Sequence, residues 1–91
     1  VSLDQLRALW AGLDSKSVIV HLPDERAENK LVLVSQENIN LELVQKFNQQ
    51  VKPYEKLKWF YRIKEMPQTD LGKVLYSQIQ QQMDPQKLQL I

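Results

Sequence analysis

The chain has 91 residues, 43% of them apolar, with 12 basic and 11 acidic side chains and a net charge of +1. That is enough for one small folded domain, and too near neutrality for a general attraction to nucleic acid or to an anionic membrane. With no cysteine and one histidine, disulfides, thiolate chemistry and a multi-histidine metal site within the chain are excluded, and no apolar run approaches the roughly 18–20 residues of a membrane span.

Val1 stands where a Met would open a complete chain, and no signal-peptide pattern follows it, so the sequence reads as a piece cut at a domain boundary. The lack of cysteine is compatible with a cytoplasmic location. Ser2-Leu3-Asp4-Gln5 has the form of a capping box, and Leu3, Leu6, Leu9, Trp10 and Leu13 recur at helical spacing behind it. Gly12 and the polar run Asp14-Ser15-Lys16-Ser17 end that helix. Val18 to Leu22 is a strand, Pro23-Asp24-Glu25-Arg26 a turn, and Lys30 to Ser35 a second strand, so the pair reads as a hairpin. Leu31 to Val34 is apolar without interruption, which suits a strand covered on both faces.

Asn38 or Asn40 caps a second helix with Leu41, Val44, Phe47 and Val51 as its stripe, stopped by Lys52-Pro53. Leu57 to Ile63 is a third strand. Strict alternation puts Leu57, Trp59, Tyr61 and Ile63 on one face, and Lys56, Lys58, Phe60, Arg62 and Lys64 on the other. A polar turn, Pro67 to Lys73, leads into a third helix marked by Leu71, Val74, Leu75 and Ile79 and ended by Asp84-Pro85. The order α-β-β-α-β-α predicts an α+β domain, a small three-stranded sheet with packed helices. Residues 1–83 form the domain and 84–91 a loose tail.

Lys73 is the first candidate for chemistry. It follows Gly72 in a tight connection and directly precedes the helical run, a poor electrostatic place for a cation unless it serves an anionic partner. The plain alternative is a solvated lysine at a helix start. A phosphate-binding P-loop is excluded, because no glycine stands five residues before Gly72 and Val74 replaces the hydroxyl that would hold magnesium. The basic face Lys56–Lys64, with Phe60 among its cations, is the pattern of a stand-alone module for single-stranded nucleic acid; overall neutrality argues for a solvated strand face instead. His21 has no second histidine or cysteine with which to share a metal, Asp24, Glu25 and Glu28 read as a charged hairpin tip, and Trp10 and Trp59 read as core.

Several of these segments together resemble the C-terminal domain of the adenylate-forming acyl- and aryl-acid–CoA ligases, a superfamily that also includes luciferases and the adenylation domains of peptide synthetases. The family's closing motif, Pro-Lys-Thr-x-Ser-Gly-Lys and an apolar residue, is matched by Pro67-Gln68-Thr69-Asp70-Leu71-Gly72-Lys73-Val74. Val20-His21-Leu22-Pro23-Asp24-Glu25-Arg26 with Lys30-Leu31-Val32 resembles its strand, Pro-Asp-Glu turn and strand. Lys52-Pro53-Tyr54-Glu55-Lys56 resembles its Leu-x-Pro-Tyr-Lys stretch, and Val1–Leu9 the segment after its hinge. The likeness covers about residues 1–83. Leu71 stands for the motif serine, Tyr76 for an arginine and Glu28 for a hairpin glycine, so the chain looks like a divergent member.

The resemblance implies a two-step reaction: a carboxylate substrate attacks the α-phosphate of magnesium-ATP, and a thiol, usually of CoA, then displaces AMP. It implies that a large N-terminal adenylation domain binds ATP, Mg2+, CoA and the acid, and that the small domain closes over it. Lys73 then meets the carboxylate and the oxygens near the α-phosphate, with Thr69 and Gly72 shaping the turn; no metal ligand is expected on this chain and no contact with a membrane. The compact form is in line with a small aryl acid, o-succinylbenzoate of menaquinone synthesis being the candidate. The isolated fragment is expected to be inactive.

Overall fold

The computed structural model describes residues 3–23 and 29–91. Helix α1 (Leu3–Ala11) turns Leu6 and Trp10 inward and ends in a turn where the amides of Leu13 and Asp14 both donate to the Trp10 carbonyl, at 2.8 and 2.9 Å. Trp10 is 2% exposed, and its Nε1 donates to Ser17 Oγ at 3.0 Å. Ser17 in turn donates to Asp14 Oδ2 at 2.6 Å. The indole N–H is thus satisfied without water, as a buried donor must be. Ser2 of the expected capping box lies outside the described residues.

Strands β1 (Ser17–Pro23) and β2 (Asn29–Ser35) form the expected antiparallel hairpin, from Ser17 opposite Ser35 to Pro23 opposite Asn29. Its turn, with Asp24, Glu25 and Glu28, lies outside the described residues. Helix α2 (Leu41–Gln50) starts at Asn40, whose Oδ1 accepts from the amides of Glu42 and Leu43 at 3.1 and 3.4 Å. This helix forms the connection to β3 (Trp59–Arg62), which pairs parallel to β2, Val32 opposite Trp59. A parallel pair needs such a crossover, so α2 is required by the topology. Asn48 fixes the return: its Oδ1 accepts from the Leu57 amide at 2.8 Å.

Among the described residues the sheet has four strands, in the order β1-β2-β3-β4, and not three. The fourth, β4 (Gln89–Leu90), lies in the segment read from sequence as a loose tail, and pairs antiparallel with β3. Two residues carry too little pattern to announce a strand; pairing with the free edge of β3 creates it. The α+β class stands, with helix α3 (Tyr76–Gln82) between β3 and β4.

Two apolar clusters lie on the two faces of the sheet. Ile19, Leu33 and Phe60 join Leu6 and Trp10 of α1 and Val44 and Phe47 of α2. Val20, Val32, Val34 and Tyr61 join Ile79 of α3 and Met66 and Met83. Strand residues therefore alternate between two cores, which accounts for the unbroken apolar run in β2. It also corrects the reading of the third strand. Phe60 points away from Tyr61, as alternation demands, but that side is a core rather than solvent, and Phe60 is 4% exposed. Trp59, read as core, is half-buried and packs against the second cluster, whereas Leu41, read as part of the α2 stripe, is exposed.

The outer border of β1 is occupied by side chains. Arg7 Nε of α1 donates to the Ile19 carbonyl at 2.9 Å, and Gln80 Nε2 of α3 donates to the carbonyl of His21. These carbonyls are two residues apart on one strand and so face the same way.

Candidate functional site

Residues 67–75 form a small hairpin of their own. Gln68 and Val74 make an antiparallel bridge, and the Leu75 amide donates to the Pro67 carbonyl at 3.0 Å. At the tip, the Gly72 amide donates to the Thr69 carbonyl and the Thr69 amide to the Lys73 carbonyl, both at 2.9 Å. Asp70, Leu71 and Gly72 therefore make a three-residue connection with a glycine bulge. Such a bulge needs a left-handed residue, and Gly72 has φ +84°. Apart from Gly72 and its two chain neighbours, no atom of the described residues lies within 4 Å of where a Cβ would stand on Gly72, so backbone conformation and not space asks for glycine there.

The bulge gives the Thr69 carbonyl to Gly72 and so leaves the Lys73 amide without its usual partner. Thr69 Oγ1 takes that amide at 3.1 Å. Thr69, Gly72 and Lys73 are thus brought together by one local geometry, and all three are exposed. The Lys73 side chain projects from a backbone fixed on both sides. The stem is held to the body by Met66 and Val74, which pack with Tyr61 and Ile79. A shallow polar depression of about 450 Å³ lies beside it, running from Thr69 to Gln78 and Gln82.

Two expectations change here. Helix α3 starts at Tyr76, so Lys73 lies before the helix and not in its first turn. Leu71 is no part of the α3 stripe; it sits at the hairpin tip, 98% exposed. Pairing across residues 67–75 overrides the helical spacing of Leu71, Val74 and Leu75. Spacing alone did not reveal the threonine acceptor; its signal is Thr three residues before Gly in a short polar connection.

The basic side chains near β3 lack the aromatic partner expected among them. Lys56, Lys58, Arg62 and Lys64 are exposed, but Phe60, the stacking residue of that pattern, is in the core. Arg62 is engaged locally, donating to Asn38 Oδ1 at 3.1 Å and to the Gln36 carbonyl at 3.3 Å. His21 is half-buried. Among the described residues no three His, Cys, Asp or Glu side chains come together in a way that could hold a metal ion, and no helix is long and apolar enough to cross a membrane.

No protein-family model matches the chain, and no curated protein matches it in sequence. Solved structures match it in shape. One is an acyl-CoA synthetase (AMP-forming)/AMP-acid ligase II-like protein from Dyadobacter fermentans, with a TM-score of 0.71 and 23% identity over 89% of this chain and 26% of that one. The chain has the fold of one part of an acyl-CoA synthetase. A fatty acyl CoA synthetase of Mycobacterium tuberculosis matches with a TM-score of 0.59 and 19% identity, over 85% of this chain and 16% of its own. The unliganded O-succinylbenzoate coenzyme A synthetase of Bacillus subtilis matches with 0.57 and 12%, over 97% and 18%. At these identities the likeness is one of fold, and this chain spans about a quarter or less of each synthetase.

Proposed function

We propose that this chain is the lysine-bearing lid domain of an adenylate-forming acid–CoA ligase, and that Lys73 serves its first half-reaction. The observation that carries this reading is Lys73 at the exposed end of a hydrogen-bonded hairpin on an acyl-CoA-synthetase fold. In that reaction a carboxylate oxygen bonds to the α-phosphorus of ATP as the bond to pyrophosphate breaks; a thiol sulfur then bonds to the acyl carbon and AMP leaves. The first step brings two anions together.

The ammonium of Lys73 offsets that repulsion. Held in a site closed to water, a fixed positive charge stabilises the developing negative charge far more than it would in solvent. The hairpin limits the motion of the Lys73 backbone, so less ordering is required when the lid closes. ATP, magnesium, CoA and the acid belong to the large adenylation domain. Lys73 suits the oxygens of a triphosphate, and magnesium, when bound, would neutralise part of their charge. O-succinylbenzoate is the candidate acid, in line with the fold of the Bacillus subtilis synthetase.

The test uses the full-length protein and separates the half-reactions. Lys73→Ala is expected to slow pyrophosphate release with the acid and ATP by about two to three orders of magnitude, the range for losing one electrostatic contact to a transition state. Thioester formation from supplied acyl-adenylate should be nearly unchanged. Equal loss in both half-reactions would remove the role assigned to Lys73.

A further inference from the structure

Arg7 and Tyr76 meet around the border of the sheet. Arg7 belongs to α1, on the face that carries Ile19 and Phe60, while Tyr76 opens α3 on the opposite face. The guanidinium carbon of Arg7 lies 3.6 Å from the centroid of the Tyr76 ring. That is well inside the ~6 Å reach of a cation–π contact. The Arg7 side chain is 21% exposed, and its Nε donates to the Ile19 carbonyl of β1 at 2.9 Å. Asp4 is 4.0 Å away and almost wholly in solvent, so it competes little for the guanidinium. Only arginine combines the flat stack and the Nε bond; a lysine ammonium could keep one or the other.

The position of Tyr76 gives this contact leverage. Helix α3 has only 7 residues, and Leu75 at its N-cap makes no side-chain capping bond. A helix this short does not hold its own start, and tertiary contacts must do so. Tyr76 directly follows Leu75, whose amide closes the stem of the hairpin on Pro67. Lys73 is three residues before Tyr76 on the same stem.

We propose that Arg7 is a positioning residue for Lys73. By clasping the first residue of α3 against the β1 border, it sets the angle at which the hairpin leaves the sheet, and so where the ammonium arrives when the lid closes. This inference rests on the adenylation reading above.

The test follows amide hydrogen exchange and the two half-reactions in the full-length protein, with Arg7→Met, Arg7→Lys, Tyr76→Leu and Tyr76→Phe. Arg7→Met and Tyr76→Leu should each speed exchange at Gly72 and Lys73 by about fivefold or more, while Tyr76→Phe, which keeps the ring, should stay within about twofold of the parent. The amides of Val32 and Val34 in the middle of the sheet should not change. Adenylate formation should fall in step with the hairpin exchange, thioester formation should hold, and Arg7→Lys should recover part of the loss. Unchanged exchange at Gly72 and Lys73, or an increase spread evenly over the sheet, would overturn the proposal, the second because Arg7 would then only stabilise the fold. A parent protein that makes no adenylate from any acid would sink the adenylation reading; the exchange pattern would still decide whether Arg7 sets the hairpin.

Discussion

Thr69 and Lys73 hold each other through reciprocal bonds: the Thr69 amide donates to the Lys73 carbonyl at 2.9 Å, and the Lys73 amide donates to Thr69 Oγ1 at 3.1 Å. The second bond stands in for the main-chain bond that the glycine bulge removes. One hydroxyl therefore completes the pairing on the residue proposed above to carry the working charge.

Thr69→Val keeps the shape of the side chain and deletes the acceptor. The hairpin should open more readily by about 0.5–1 kcal/mol, the worth of one exposed neutral hydrogen bond. Adenylate formation should drop a few-fold, and Thr69→Ser should stay close to the parent. Exchange of the Lys73 amide reads the effect directly; an unaltered rate in Thr69→Val would show that the hydroxyl does not hold it.

Gly72→Ala meets no steric obstacle, yet it forces a β-carbon into φ +84°. The expected cost is about 1–2 kcal/mol, confined to the hairpin because the rest of the fold does not depend on it. Adenylation should therefore suffer while the midpoint of thermal unfolding barely moves. A large fall in that midpoint would contradict the local view.

Ser17→Ala removes the acceptor of the Trp10 indole and leaves a buried donor unpaired. Stability measured by denaturant unfolding should fall by about 1–3 kcal/mol. Trp10→Phe in the same background should cost less than it does alone, since the orphaned N–H leaves with the indole. Strict additivity of the two changes would argue that water already serves the indole.

Phe60→Ala should destabilise the domain by about 3–5 kcal/mol, as for other buried aromatics. Lys58→Ala and Lys64→Ala should each stay within about 0.5 kcal/mol of the parent. The protein should also fail to shift a single-stranded oligonucleotide at low salt. Tight, salt-sensitive binding that is lost with Lys58 and Lys64 would revive a nucleic-acid function.

Local chemistry made much of the fold legible. Asn40 before Leu41 marks a helix start because its side chain can take the free amides there, and it does so. The run Leu31–Val34 signalled a strand enclosed on two sides, and Val32 and Leu33 enter different cores. Phe60 was misplaced because alternation tells which residues share a face, not whether water or another helix covers it. The start of α3 was misplaced because Leu71, Val74 and Leu75 obey a helical period by chance, and the pairing of Gln68 with Val74 outweighs it. The fourth strand had no signal of its own, since Gln89 and Leu90 are extended only through their partners Phe60 and Trp59. For the hairpin, Gly72-Lys73 stood out in the sequence, while the service of Thr69 to the Lys73 amide depends on bond geometry that no spacing rule contains.

With Ile19 and His21 already engaged by Arg7 and Gln80, the β1 side of the sheet offers an incoming chain few free acceptors. The far side ends in a two-residue strand with Leu90 exposed. Growth of this sheet by recruiting a foreign strand is thus biased to one direction, and any tendency of the domain to self-associate should respond to changes at Leu90 rather than at Val18.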